Sequence, residues 1–121
     1  MSIPPNTTIF GPQADPRDFT NWRIRATSLL EADEWIDTFE LVLGAEAVAA
    51  GLIISDTGPR APSIIDDGKA LLIWLSVTES MQLDPIFDGA GVTLPIEVTI
   101  DTNSIPARTF QRTIAVRFAQ Q

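Results

Sequence analysis

Residues 92–118 read VTLPIEVTIDTNSIPARTFQRTIAVRF, and this stretch decides the fold. Val92, Leu94, Ile96, Val98 and Ile100 alternate without a fault with Thr93, Pro95, Glu97, Thr99 and Asp101. Period-2 alternation is the mark of a strand with one face on a core and one toward water. A second strand follows, with Phe110, Ile114, Val116 and Phe118 facing one way and Gln111, Thr113, Ala115 and Arg117 the other. The link Asn103-Ser104-Ile105-Pro106-Ala107 is short enough to make the pair one long β-hairpin. Pro95 has no N–H to give a ladder, so its end of the strand belongs at a sheet edge or beside a bulge.

Working toward the N-terminus, residues 79–91 are rich in Asp, Pro and Gly and read as a loop. Before them, Ala70–Val77 is almost wholly apolar, as expected of a strand covered on both faces or lying in an interface. Asp66-Asp67-Gly68-Lys69 reads as a tight turn leading into that strand, because Asp-Gly tolerates positive φ. Gly51–Ser55 is a short apolar run closed by the turn Asp56-Thr57-Gly58-Pro59. Trp22, Ile24 and Ala26 alternate with Arg23, Arg25 and Thr27 as a further strand.

Residues 28–50 admit two readings. Ser28 and Glu31 have capping-box spacing, and Leu29, Ala32, Ile36, Phe39 and Leu43 recur along one helical face. Trp35, Phe39, Leu41 and Leu43 also share a strand face, broken only by Asp37. On residue physics the helix is preferred, most clearly for a short helix near residues 45–50. Residues 1–17 hold Pro4, Pro5, Pro12 and Pro16, which predicts an extended N-terminal arm and not a strand inside a sheet. The remainder, 18–121, is expected to be a single β-sandwich domain. Ile3, Ile9 and Phe10 are apolar within the arm. They either fold back on their own domain or dock on a neighbour.

Composition narrows the chemistry. The 121 residues suit one domain and carry a net charge of −8, with eight Lys+Arg against sixteen Asp+Glu. Residues 1–30 contribute +1, residues 31–103 contribute −12 and residues 104–121 contribute +3. Such acidity argues against nucleic acid as a partner. An uneven charge along the chain suits a body that stacks head to tail or meets a basic partner, and equally a plain solubilising surface. There is no His, Cys or Tyr, which excludes Ser-His-Asp and Cys-His catalysis and the usual zinc sites. The acidic clusters lack the ordered spacing of a calcium loop, and Gly89-Ala90-Gly91 lacks the Gly-Lys-Ser/Thr of a phosphate loop. No catalytic residue, metal site or cofactor is expected, and the chain is read as a non-enzyme. The opening residues carry no basic n-region and no long apolar run, so neither a signal peptide nor membrane insertion is expected. Trp22, Trp35 and Trp74 would serve a carbohydrate-binding module only if exposed together.

Several motifs carry a resemblance. Asp15-Pro16-Arg17-Asp18-Phe19 with Trp22 following, Ile73-Trp74-Leu75-Ser76, and the closing hairpin with Arg108 and Arg112-Thr113-Ile114 together resemble the Ig-like fiber-tail adaptor family of small tailed-phage proteins. The likeness spans about residues 15–118. It departs from the family where Val77-Thr78 stands for a Gly-Gly, where residues 79–91 look inserted, where Ala107 replaces the turn glycine, and where a tryptophan near Leu41 is missing. The resemblance implies an immunoglobulin-like sandwich in which residues 33–43 form a strand. It further implies a structural virion protein, made in the host cytoplasm and built into the tail. Its partners would be fiber, tail-tube, nozzle or neck components, and it would form a homo-oligomeric ring or cluster. On that expectation the contacts are Ile3, Ile9 and Phe10 in the arm and Asp84, Pro85, Ile86, Phe87 and Asp88 in the inserted loop. A capsid decoration protein and a carbohydrate-binding sandwich are the rival expectations.

Overall fold

In a computed structural model, which describes residues 7–120, eight strands form two sheets. They are β1 (Thr8–Ala14), β2 (Thr20–Arg25), β3 (Ile36–Leu43), β4 (Leu52–Ile54), β5 (Ser63–Ile65), β6 (Ala70–Val77), β7 (Val92–Thr102) and β8 (Thr109–Phe118), with one helix, α1 (Ala45–Ala49). The first sheet has the order β1-β8-β7-β3, and the second β2-β6-β4 with β5 also paired to β6. The molecule is an all-β sandwich.

The closing hairpin forms as its alternation predicts. β7 and β8 pair antiparallel from Val92↔Phe118 to Asp101↔Thr109. Leu94, Ile96, Val98, Val116 and Phe118 turn inward and are nearly inaccessible. They meet Leu71, Ile73 and Leu75 of β6, the central strand of the second sheet, in one continuous core. The outer face of β6 is half-covered: Phe19 stands edge-on to Trp74 at 6.0 Å, and Arg60 lies 5.3 Å from the same ring. Pro95 behaves as a local edge residue. The β3 pairing stops at Leu43↔Ile96, and the Pro95 carbonyl accepts the Gly44 N–H at 3.0 Å as the chain turns away. A missing N–H therefore breaks no ladder bond there.

Residues 36–43 are a strand, which corrects the helical preference of residue physics. A bulge between Ile36 and Thr38 inserts one residue, so Ile36 and Phe39 both reach the inner face. Upstream, the spacing at Ser28–Glu31 caps no helix. The Leu29 carbonyl accepts from Arg108, and Lys69 Nζ donates to the carbonyls of Glu31, Ala32 and Glu34. Tertiary partners have taken the groups that a helix would use. The alanine-rich run does form α1, ended by Ala50 and by Gly51 at φ +85°.

The arm expectation also needs correction over residues 8–14. These form β1, an edge strand parallel to β8. Pro12 is accommodated because the register shifts between Ile9 and Gln13, a position where a proline withholds no required bond. From β1 the chain crosses to the second sheet through Asp15–Asp18. The buried Asp15 accepts the Arg17 N–H at 2.8 Å, and Asp18 accepts the Asp15 N–H at 3.0 Å. The turn before β6 matches its reading: Asp66 and Asp67 lie at φ 55° and Gly68 at φ +84°. A Cβ on Gly68 would sit 2.4 Å from that of Trp35, so the site requires glycine.

Candidate interaction surfaces

The sandwich is open at both sides. On one, β3 and β4 leave a cleft of about 690 Å³ lined by Phe39, Leu41, Val42, Val48 and Ile53, with Asp56 at its rim. Val42, Val48 and Ile53 are between 44% and 61% exposed, a patch that no element among the described residues covers. β3 is also a free sheet edge of eight residues carrying exposed Asp37 and Glu40. Neither these two nor Asp56 forms an ion pair among the described residues.

On the opposite side, β1 and β2 flank a second cleft of about 640 Å³ lined by Phe10, Pro12, Asp18, Trp22, Arg23 and Arg25. Phe10 packs on Trp22 at 5.2 Å, and Ile9 is 53% exposed. A smaller recess of about 170 Å³ runs inward beside it to Ile24, Val98 and Ile114, with Arg25 and Arg112 among its walls. Arg23 lies 3.5 Å from Asp66 in an exposed pair, whereas Arg25 has no ion-pair partner among the described residues. Among the described residues the β3–β4 side thus carries unpaired carboxylates, whereas the β1–β2 side carries the unpaired Arg25 beside Asp18 and the Arg23–Asp66 pair.

The residues singled out from sequence separate into three groups. Ile3 lies outside the described residues. Ile9 and Phe10 sit on β1, with Phe10 folded back onto its own domain, and Ile9 opposite Ala115. The loop residues lie elsewhere, at the Phe118 end of the sandwich. There Asp84 accepts the Ile86 N–H at 3.0 Å and caps a short 3-10 turn, Pro85–Phe87. Phe87 is the correction: it is wholly buried, edge-on to Phe118 at 6.4 Å, and belongs to the core. Pro85, Ile86 and Asp88 remain exposed, as does Leu83 at 74%, which the sequence reading passed over. Val42, Val48 and Ile53 were also missed. Each lies in a segment with further apolar neighbours, where sequence does not show which residue stays exposed, and only the folding of β3, α1 and β4 beside one another gathers them.

One polar cluster invites a catalytic reading and does not support it. Glu34, 3% exposed, is gripped by both Nε and a terminal nitrogen of Arg108, and also accepts from Ser104 at 3.1 Å and the Glu31 N–H at 3.1 Å. Arg108 foremost, with those lesser donors, outweighs burial and holds the Glu34 carboxyl well below the usual carboxylate range. A carboxylate so committed is a poor proton donor or acceptor near neutrality. The cluster instead ties the β2–β3 connection to the β7–β8 turn.

The three indoles form no shared platform. Trp22 is covered by Phe10, Trp74 by Phe19 and Arg60, and both ring N–H groups are buried without a partner. Trp35 is about half exposed on its own. Among the described residues no group of acidic side chains is arranged to hold a metal ion, and no helix is long and apolar enough to cross a membrane. No known family model matches the chain, and no curated protein matches it in sequence.

Proposed function

We propose that the chain is a structural, non-enzymatic component of a tailed-phage virion, an adaptor joining the tail body to fibers or adjoining tail components. The observation that carries this reading is the pair of lateral clefts: one sandwich presents two chemically different sides, which is what a coupler between neighbours requires. The motif resemblance adds to it, including the Ig-like character of the sandwich. Asp15–Asp18 serves as the corner between the sheets, so these matching residues have a structural task consistent with a shared architecture. Partners on this reading are fiber, tail-tube, nozzle or neck proteins together with further copies of the chain. Ile9 and the exposed loop residues Pro85, Ile86 and Asp88 are available for contact, and Phe87 is not.

The test is localisation. The chain, tagged at its C-terminus in the genome that encodes it, is followed into released particles by gold labelling and electron microscopy. Label at the tail is expected. Label on the heads, or particles that carry none, overturns the proposal; head label would favour a decoration role.

A further inference from the structure

Among the described residues the two open sides of the sandwich differ in charge, carboxylates without a partner on one and an arginine without a partner, Arg25, on the other, and this bears on how the molecule can meet its own kind. A two-fold contact through β3 would bring Asp37, Glu40 and Asp56 of one copy against the same carboxylates of another. A two-fold contact through β2 would gather the unpaired Arg25 with its duplicate, Arg23 being held by Asp66 and Asp18 lying in the same cleft. Like charges brought together in a drying interface repel strongly.

We infer that the acidic β3–β4 side of one molecule receives the arginine-bearing β1–β2 side of a second copy, head to tail. The apolar parts correspond: Val42, Val48 and Ile53 meet a side bearing Ile9, Phe10 and Pro12. The backbone agrees as well. Among the described residues β3 and β1 are the two outer strands of the same sheet, so apposing them continues that sheet from copy to copy. Asp37 and Glu40 then act as selectors, discouraging β3 from pairing with another β3 while favouring an edge flanked by arginine. A contact between unlike surfaces propagates, closing into a ring when its rotation permits and extending otherwise. The inference deepens the adaptor reading and takes its biological setting from it.

Purified protein tests the contact directly. At about 100 μM and low ionic strength the wild type should scatter light as an oligomer, a concentration at which even a weak specific interface is populated. The double variant Arg23→Glu with Arg25→Glu blocks one side, and Val42→Asp with Val48→Asp blocks the other. Each alone should be monomeric. Mixed in equal amounts they should give a heterodimer and nothing larger, because one intact pair of sides remains and the altered sides are both acidic. The single variant Val42→Asp, which keeps that side acidic, replaces the double valine variant if circular dichroism shows that one unfolded. Raising salt from about 50 to about 500 mM should weaken the wild-type oligomer at least tenfold. A monomeric wild type, a variant that associates as the wild type does, or a mixture that stays monomeric overturns the contact. Gold label at the tail is read independently, so the contact can fail while the adaptor reading stands.

Discussion

Ile86 and Phe87 are adjacent apolar residues in a loop dense with Asp, Pro and Gly, and the structure gives them opposite tasks. Phe87 fills the core against Phe118, and its backbone carbonyl accepts the Gln120 N–H at 2.9 Å. Ile86 remains 43% exposed. Truncating a buried phenylalanine removes its transfer free energy and leaves a cavity, so Phe87→Ala should cost about 3–5 kcal/mol in urea unfolding. Ile86→Ala should stay within about 0.5 kcal/mol. Near-equal midpoints for the two would contradict the buried placement. Composition concealed the difference because a segment of turn formers reads as solvated throughout. The local hint was Asp84 before Pro85, a cap followed by a first-turn proline, which winds the next residues tightly enough to aim one ring inward.

At the level of elements, regular alternation was readable and its interruption was not. β7 keeps period 2 over its whole pairing and β8 departs from it only at Arg112, so the hairpin stood out from its residues alone. β3 carries a bulge at its start, which shifts parity and lets one sequence score as helix or strand. The segment before it is held by the Glu34–Arg108 cluster, whose members lie 74 positions apart in the chain, a distance no local pattern spans. That cluster makes stability depend on pH in a definite direction. The folded-state pKa of Glu34 is depressed from its ordinary 4.5, with Arg108 the principal cause. The cluster's stabilisation is therefore complete above about pH 4.5 and drains away as the pH falls below it. Between pH 6 and pH 3 the wild type should lose more thermal stability than Glu34→Gln, which lacks the titrating group and begins from a lower Tm at pH 6. Equal losses would mean that the ion pair contributes nothing to folding.

For the whole molecule, the boundary between arm and domain is the point on which sequence and structure differ most. Four prolines in the first seventeen residues suggested a segment separate from the sandwich, yet β1 completes one edge of it. Proline density reports where a chain cannot sit inside a sheet. It is silent about a bulged edge, where the lost N–H faces away from the ladder. The paired clefts were equally hidden: the acid-rich middle of the chain was plain to see, but which strands become edges is decided by long-range pairing. These points combine in one deletion. If residues 1–12 were a detached arm, removing them would leave the sandwich unchanged. With β1 in place, the deletion strips Phe10 from Trp22 and takes the Thr8 and Ile9 pairing from Ile114 and Ala115 of β8. The newly wetted surface includes Trp22 and the recess floored by Ile24 and Ile114. Uncovering it should lower Tm by about 10 °C, the loss expected from about 2–3 kcal/mol in a domain of this size. The truncated protein should also gain binding of a hydrophobic dye such as ANS while keeping its β-sheet circular dichroism. An unchanged Tm would return residues 8–12 to the status of a dispensable arm and remove β1 from any account of assembly.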